Sequence, residues 1–170
     1  VLLETMQTLR LRPNGATLAH LFALSRSHGE LRAVHSLLPP RPPSKLAHAS
    51  MMAAARLVPL EAADTLAALL RNNAPPPSHG AAAAVLLHLC KLGRPDVTRS
   101  LLRTLFERGS RLGERYAGAL LCAASEAVAA GDARAATEGR ELIIDLREAL
   151  FGGLQASVDG NIKAEKKIIP

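Results

Sequence analysis

Residues that stop a helix recur along this chain at a regular spacing, and no other feature constrains its fold as strongly. Ser27-His28-Gly29, Val58-Pro59, Gly93 and Gly131-Asp132 each interrupt a helical apolar pattern, at intervals of roughly 30 to 38 residues, the range of helical-hairpin repeats. Stronger breaks lie between them. Pro39-Pro40-Arg41-Pro42-Pro43 and Pro75-Pro76-Pro77 cannot continue a helix, because proline lacks the N–H and its ring clashes with the preceding turn. Turns alternating with breaks predict helix-turn-helix units. One hairpin cannot bury its own apolar face, so the units are expected to stack into an all-α solenoid, with a non-repetitive helical bundle as the alternative.

The apolar spacing places the elements. Val1 to Leu11, with Leu2, Leu3, Met6 and Leu9 on one face, reads as the second helix of a truncated hairpin (1–14), stopped at Arg12-Pro13-Asn14-Gly15. A chain that opens within such a pattern is expected to be a processed product. Four further hairpins are predicted over 15–43, 44–77, 78–113 and 114–150. In the first, a helix begins near Thr17 and runs through Leu18, Leu21, Phe22 and Ser25; Gly29 ends it, and Leu31, Val34, Leu37 and Leu38 define its partner. In the second, Ser44 is the expected N-cap of a helix over 46–57, and Pro59 opens a helix whose apolar side is Leu60, Ala63, Leu66, Ala67 and Leu70. The third pairs His79 to Leu92 with Pro95 to Arg108, turning at Gly93 and stopping at Gly109, with Leu101 and Leu102 on the apolar face. The fourth pairs Glu114 to Ala130 with a helix from Ala133 to about Leu150. Phe151-Gly152-Gly153 ends the array, and the tail 151–170, with Lys163, Lys166 and Lys167, is expected to be extended or disordered.

Composition agrees. Apolar residues make up 48% of the 170, mostly Ala and Leu, while aromatics are 2% and Trp is absent. Ala and Leu head the helix-propensity order and strand formers are scarce, so no substantial sheet is expected. The longest apolar run, Ala81 to Leu87, is too short to cross a bilayer, and no membrane insertion is expected. Cys90 and Cys122 lie too far apart in sequence for a metal-binding pair and read as reduced, packed thiols. The net charge of +6 suits a phosphate-bearing partner, though ribosome-associated proteins that touch only other proteins share it.

The stretch Leu89-Cys90-Lys91-Leu92-Gly93-Arg94-Pro95-Asp96, with Ser100-Leu101-Leu102 and Phe106-Glu107-Arg108-Gly109 after it, resembles the repeat of the pentatricopeptide family. The junction from Met6 through Arg12-Pro13-Asn14 to Thr17-Leu18 is similar to the end and opening of that repeat. The likeness covers Val1 to about Leu150; the related tetratricopeptide repeat lacks counterparts here for its Trp and Tyr positions. The resemblance implies one RNA base read per hairpin, by a side chain early in the first helix and another at the repeat end. Aligned by the turns, the base-facing positions are Ala19, His48, Ala83 and Gly118, and the repeat-end positions Asn14, Pro43, Ser78 and Gly113. Positions where the family sets an apolar residue against the base hold Ala16, Lys45, Gly80 and Arg115. Most of these offer no donor or acceptor, so base readout is not expected. Positive charge persists instead, at Lys45, Arg56, Lys91 and Arg115 near the first-helix ends, and these four are the expected phosphate contacts.

No catalytic chemistry is legible. The six histidines, His20, His28, His35, His48, His79 and His88, show no metal-ligand spacing, no Ser, Cys or Thr sits in a nucleophile motif, and Gly152-Gly153 lacks the strand and Lys-Ser/Thr of a phosphate loop. The expectation is a non-enzymatic, cofactor-free RNA-associated protein, which the resemblance places in an organelle: a mitochondrial ribosome or RNA-processing assembly, or alternatively a plastid. A helical-repeat scaffold that binds protein subunits without touching RNA is the alternative function.

Overall fold

The computed structural model describes residues 5, 6, 8, 12–72, 74, 76, 78–109, 113–130 and 133–148, and among these the regular structure is helical with no strand. The helices are α1 (Gly15–Leu24), α2 (His28–His35), α3 (Ser44–Leu57), α4 (Pro59–Arg71), α5 (His79–Lys91), α6 (Pro95–Glu107), α7 (Glu114–Ala130) and α8 (133–148). Thr5, Met6 and Thr8 are helical as well. The expected turn at Gly131-Asp132 and the tail 151–170 lie outside the described residues. Two compact bodies are present, residues 1–85 and 86–170, dividing within α5.

Local chemistry explains where the helices begin and end. α1 starts at Gly15, two residues before the expected Thr17, because Asn14 Oδ1 accepts from the Thr17 N–H at 2.8 Å and so caps the helix. The Gly29 turn is corrected: Gly29 sits in the first turn of α2, whose N-cap is Ser27. Ser27 Oγ accepts from the Glu30 N–H at 3.2 Å, while Glu30 Oε2 accepts from the Arg26 N–H at 2.6 Å, a close relative of the capping box. Ser44 is also corrected, since the cap of α3 is Pro43 with no side-chain hydrogen bond and Ser44 is the first helical residue. Pro59 and Pro95 open α4 and α6 as expected, at the position where a missing N–H costs nothing. Gly93 and Gly109 take φ of 75° and 72° after α5 and α6, a left-handed conformation that favours glycine.

In the first body α1 packs chiefly against α3, and α3 against α4, with α2 leaning on both α1 and α3. Leu18, Leu21, Phe22, Leu31, Val34, Leu46 and Ala53 form its core, and Leu37 and Leu38 close over it from the turn after α2. On α4, Leu66 and Leu70 are buried as expected, but Leu60 is 45% exposed and Ala62 takes the inward place. The second body buries Leu86, Leu89, Leu102, Leu105, Leu120, Leu142 and Leu146. Here α8 approaches α7 so closely that a Cβ on Gly139 would stand 2.6 Å from Val128 Cγ2. Of the two thiols expected to be packed, Cys90 is buried, whereas Cys122 is exposed.

Candidate nucleic-acid interface

The hairpins segregate charge between their two helices. α1, α3 and α5, the first helices of three successive hairpins, contain no Asp or Glu. Their partners carry the acids: Glu30 on α2, Glu61 and Asp64 on α4, Asp96 and Glu107 on α6. The fourth hairpin departs from this, with Glu114 and Glu126 on α7. In the first body α1 and α3 lie side by side, and the outward stripe of α3 is Lys45, His48, Met52 and Arg56 at spacings of one, two and three turns. On α1 the exposed residues include Ala16, His20 and Ala23, small or polar and with no negative charge. The cations of α3 therefore have no carboxylate on α1 or α3 beside them.

Lys45, Arg56, Lys91 and Arg115, singled out from the sequence, are all exposed. Arg56 also has work within the fold. Its Nη2 donates to Ser25 O at 2.6 Å and Ala23 O at 3.2 Å and reaches Phe22 O at 3.5 Å, the carbonyls at the C-terminal end of α1. α1 has no basic residue in its own last turn, so the cation that complements its negative end comes from the next hairpin. No sequence signal distinguished this role from a solvated charge.

The positions aligned with base reading behave unequally. His48 and Ser78, a first-helix position and a repeat-end position, meet: His48 Nδ1 lies 2.6 Å from Ser78 Oγ, 30 residues on. Ser78 Oγ also accepts from the Ala81 N–H at 2.9 Å, so the serine ties His48 to the first turn of α5. Ala83 is only 1% exposed and has no surface to offer a base. Ala19 packs against the first core, and Gly118 is exposed but has no side chain with which to read. Asn14 is already engaged by Thr17, whose N–H and hydroxyl both donate to Oδ1.

The second body holds a different charged cluster, which joins α6 to α8. Arg99 pairs with Glu138, Glu141 and Asp145, and Arg103 Nε donates to Asp145 Oδ2 at 2.8 Å. Arg103, with Arg99, holds the Asp145 carboxyl below its ordinary range, the sign expected of a structural ion pair. Burial, helped by the charge of Glu126, pushes the Cys90 thiol up to about 11, which leaves it a poor nucleophile. His35 packs its ring nearly perpendicular to that of buried Phe22, centroids 5.1 Å apart, with its Nε2 3.1 Å from Ser50 Oγ, and desolvation there lowers its pKa. Among the described residues no three His, Cys, Asp or Glu side chains group as a metal site, and no helix is long and apolar enough to cross a membrane.

Compared with family models, with curated proteins and with solved structures, the chain finds no match.

Proposed function

We propose that the chain is a non-enzymatic helical-hairpin array of pentatricopeptide type that holds RNA by its phosphate backbone. The observation that carries this reading is the absence of carboxylates from α1, α3 and α5 while Lys45, Arg56 and Lys91 stand exposed on them. Solvated helix charge with no ligand normally mixes both signs, as the second helices here do. The packing of α1 on α3 and of α3 on α4 supports stacked hairpins, in which first helices line one surface. Few side chains at the base-facing positions can hydrogen-bond, so contacts to phosphate position the RNA and sequence matters little. A structural place in an organellar ribonucleoprotein, such as a mitochondrial ribosome, suits an array that holds phosphate without reading bases.

The test is fluorescence anisotropy with labelled single-stranded RNAs of unrelated sequence across a salt series. Affinity is expected to fall steeply with salt and to vary little with sequence. Replacing Lys45, Lys91 and Arg115 by Ala is expected to flatten the log–log salt slope by up to roughly 0.7 per lost contact. Arg56 stays in place, because its removal also uncaps α1. An unchanged slope in the triple variant would overturn the proposal in favour of a protein scaffold, and a strong preference for one RNA would show that bases are read after all.

A further inference from the structure

The first body contains a trough that the RNA reading does not use. First helices α1 and α3 pack closely, but no comparable packing joins second helices α2 and α4. A cavity of about 450 Å³ lies open between them, within the size range of ligand sites. Its walls are built from three helical stripes. α2 contributes His28, Leu31, Arg32 and His35; α3 forms the floor with Ala47, Ser50, Met51 and Ala54; α4 contributes Glu61, Ala62, Thr65 and Leu69, with Val58 at its start. Each set repeats at three or four residues, and the α4 wall from Val58 to Leu69 runs about 16 Å. Leu38 and Pro42, between α2 and α3, complete the lining, and helical walls at that spacing can receive side chains of a further helix at i, i+3 or i+4, and i+7. The volume suits a few large apolar side chains rather than a whole helix.

Charge narrows the occupant. On the α4 wall Glu61 Oε1 stands 3.4 Å from His28 Nε2, which makes no hydrogen bond among the described residues. Glu30, the acid nearest Arg32 in sequence, is spent on capping α2. Arg32 itself is exposed on the α2 wall, and among the described residues no carboxylate pairs with it. We propose that the trough between α2 and α4 docks an amphipathic helix of a partner protein, one that sets large apolar side chains over Met51 and Leu69 and a carboxylate against Arg32. This function is additional to RNA binding and does not depend on it.

The test is selection from a phage-displayed library of helical peptides on the whole chain, followed by binding of the selected peptides to two variants. Thr65→Trp places an indole in the trough, and Arg32→Glu reverses the wall charge at an exposed position, with helical content and melting temperature checked for each. The expected peptides carry apolar residues at helical spacing with Asp or Glu beside them. They should lose about tenfold or more in affinity on either variant. The proposal is overturned by a selection that enriches nothing, by peptides rich in Lys or Arg, or by peptides that bind Thr65→Trp unchanged. Dodecanoate is the second probe: if it binds in competition with no peptide and is lost in Thr65→Trp, the trough is a site for a free amphiphile instead.

Discussion

At the scale of single residues, what a position tolerates depends on its neighbour across the interface, and Gly139 shows this most sharply. Glycine in mid-helix costs roughly 1 kcal/mol relative to alanine, so Gly139→Ala on an exposed helix would be stabilising. Here the added methyl meets Val128 Cγ2 at 2.6 Å and the Ala124 carbonyl oxygen at 3.4 Å. Val128 is β-branched and helical, with one strongly preferred rotamer, so it cannot swing away cheaply. Overpacking of this kind costs about 1–3 kcal/mol, which outweighs the propensity gain. Gly139→Ala is therefore expected to lower the melting temperature, and a raised one would show that α7 and α8 are not held this close. Nothing in the sequence marked this glycine, because close approach is a property of two helices and the residues concerned are eleven apart. The exposure of Cys122 escaped notice for the same reason: its place on α7 is helical and surrounded by Ala and Leu, but its side of the helix was not determined by them.

At the scale of elements, the punctuation was legible and the caps less so. Pro59, Pro95, Gly93 and Gly109 act through their own backbone restrictions, and the ends they mark agree with the structure. Ser27 and Glu30 were equally visible as a cap pattern, yet Gly29 drew the turn to itself, since glycine signals a stop only when it follows the last helical turn. Ion pairs between helices were not legible at all, because Arg99 and Arg103 meet acids 39 to 46 residues away. That cluster makes a prediction for α6 and α8. Asp145 is ionised more readily in the folded protein than unfolded, chiefly through Arg103, so its contribution is present above the ordinary carboxylate value of 3.8 and is lost as pH falls through the lowered folded value. Asp145→Asn is expected to lower stability near neutral pH, since Arg99 and Arg103 both lose a charged partner. The gap between variant and parent in urea melts should narrow as the buffer is taken below pH 4 and as salt is raised. A gap independent of both would mean that packing, rather than charge, docks α8.

At the scale of the whole molecule the formal charge of +6 says little until it is known where the negative charges are. The cations at the first-helix ends could be picked out from the sequence, but an excess of lysine and arginine was the weaker half of the signal. The stronger half is an absence, and it emerges only when residues are grouped by the helix that carries them, which required the helix bounds. Segregation and net charge predict different things, and the difference can be measured. Two exposed carboxylates introduced as Ala16→Glu and Met52→Glu would fall on the acid-free surface of α1 and α3 without removing any cation. The same two charges introduced as Ala33→Glu and Leu60→Glu would fall on α2 and α4, which carry acids already. Both pairs lower the net charge equally, so long-range attraction for a polyanion changes equally. Only the first pair repels phosphate at the surface where it is held, and we expect it to weaken RNA binding about tenfold further than the second at moderate salt, about 1.4 kcal/mol. Anisotropy titrations of the two double variants against one RNA decide between them: equal affinities would mean that the protein attracts nucleic acid by bulk charge alone, with no surface built to receive it.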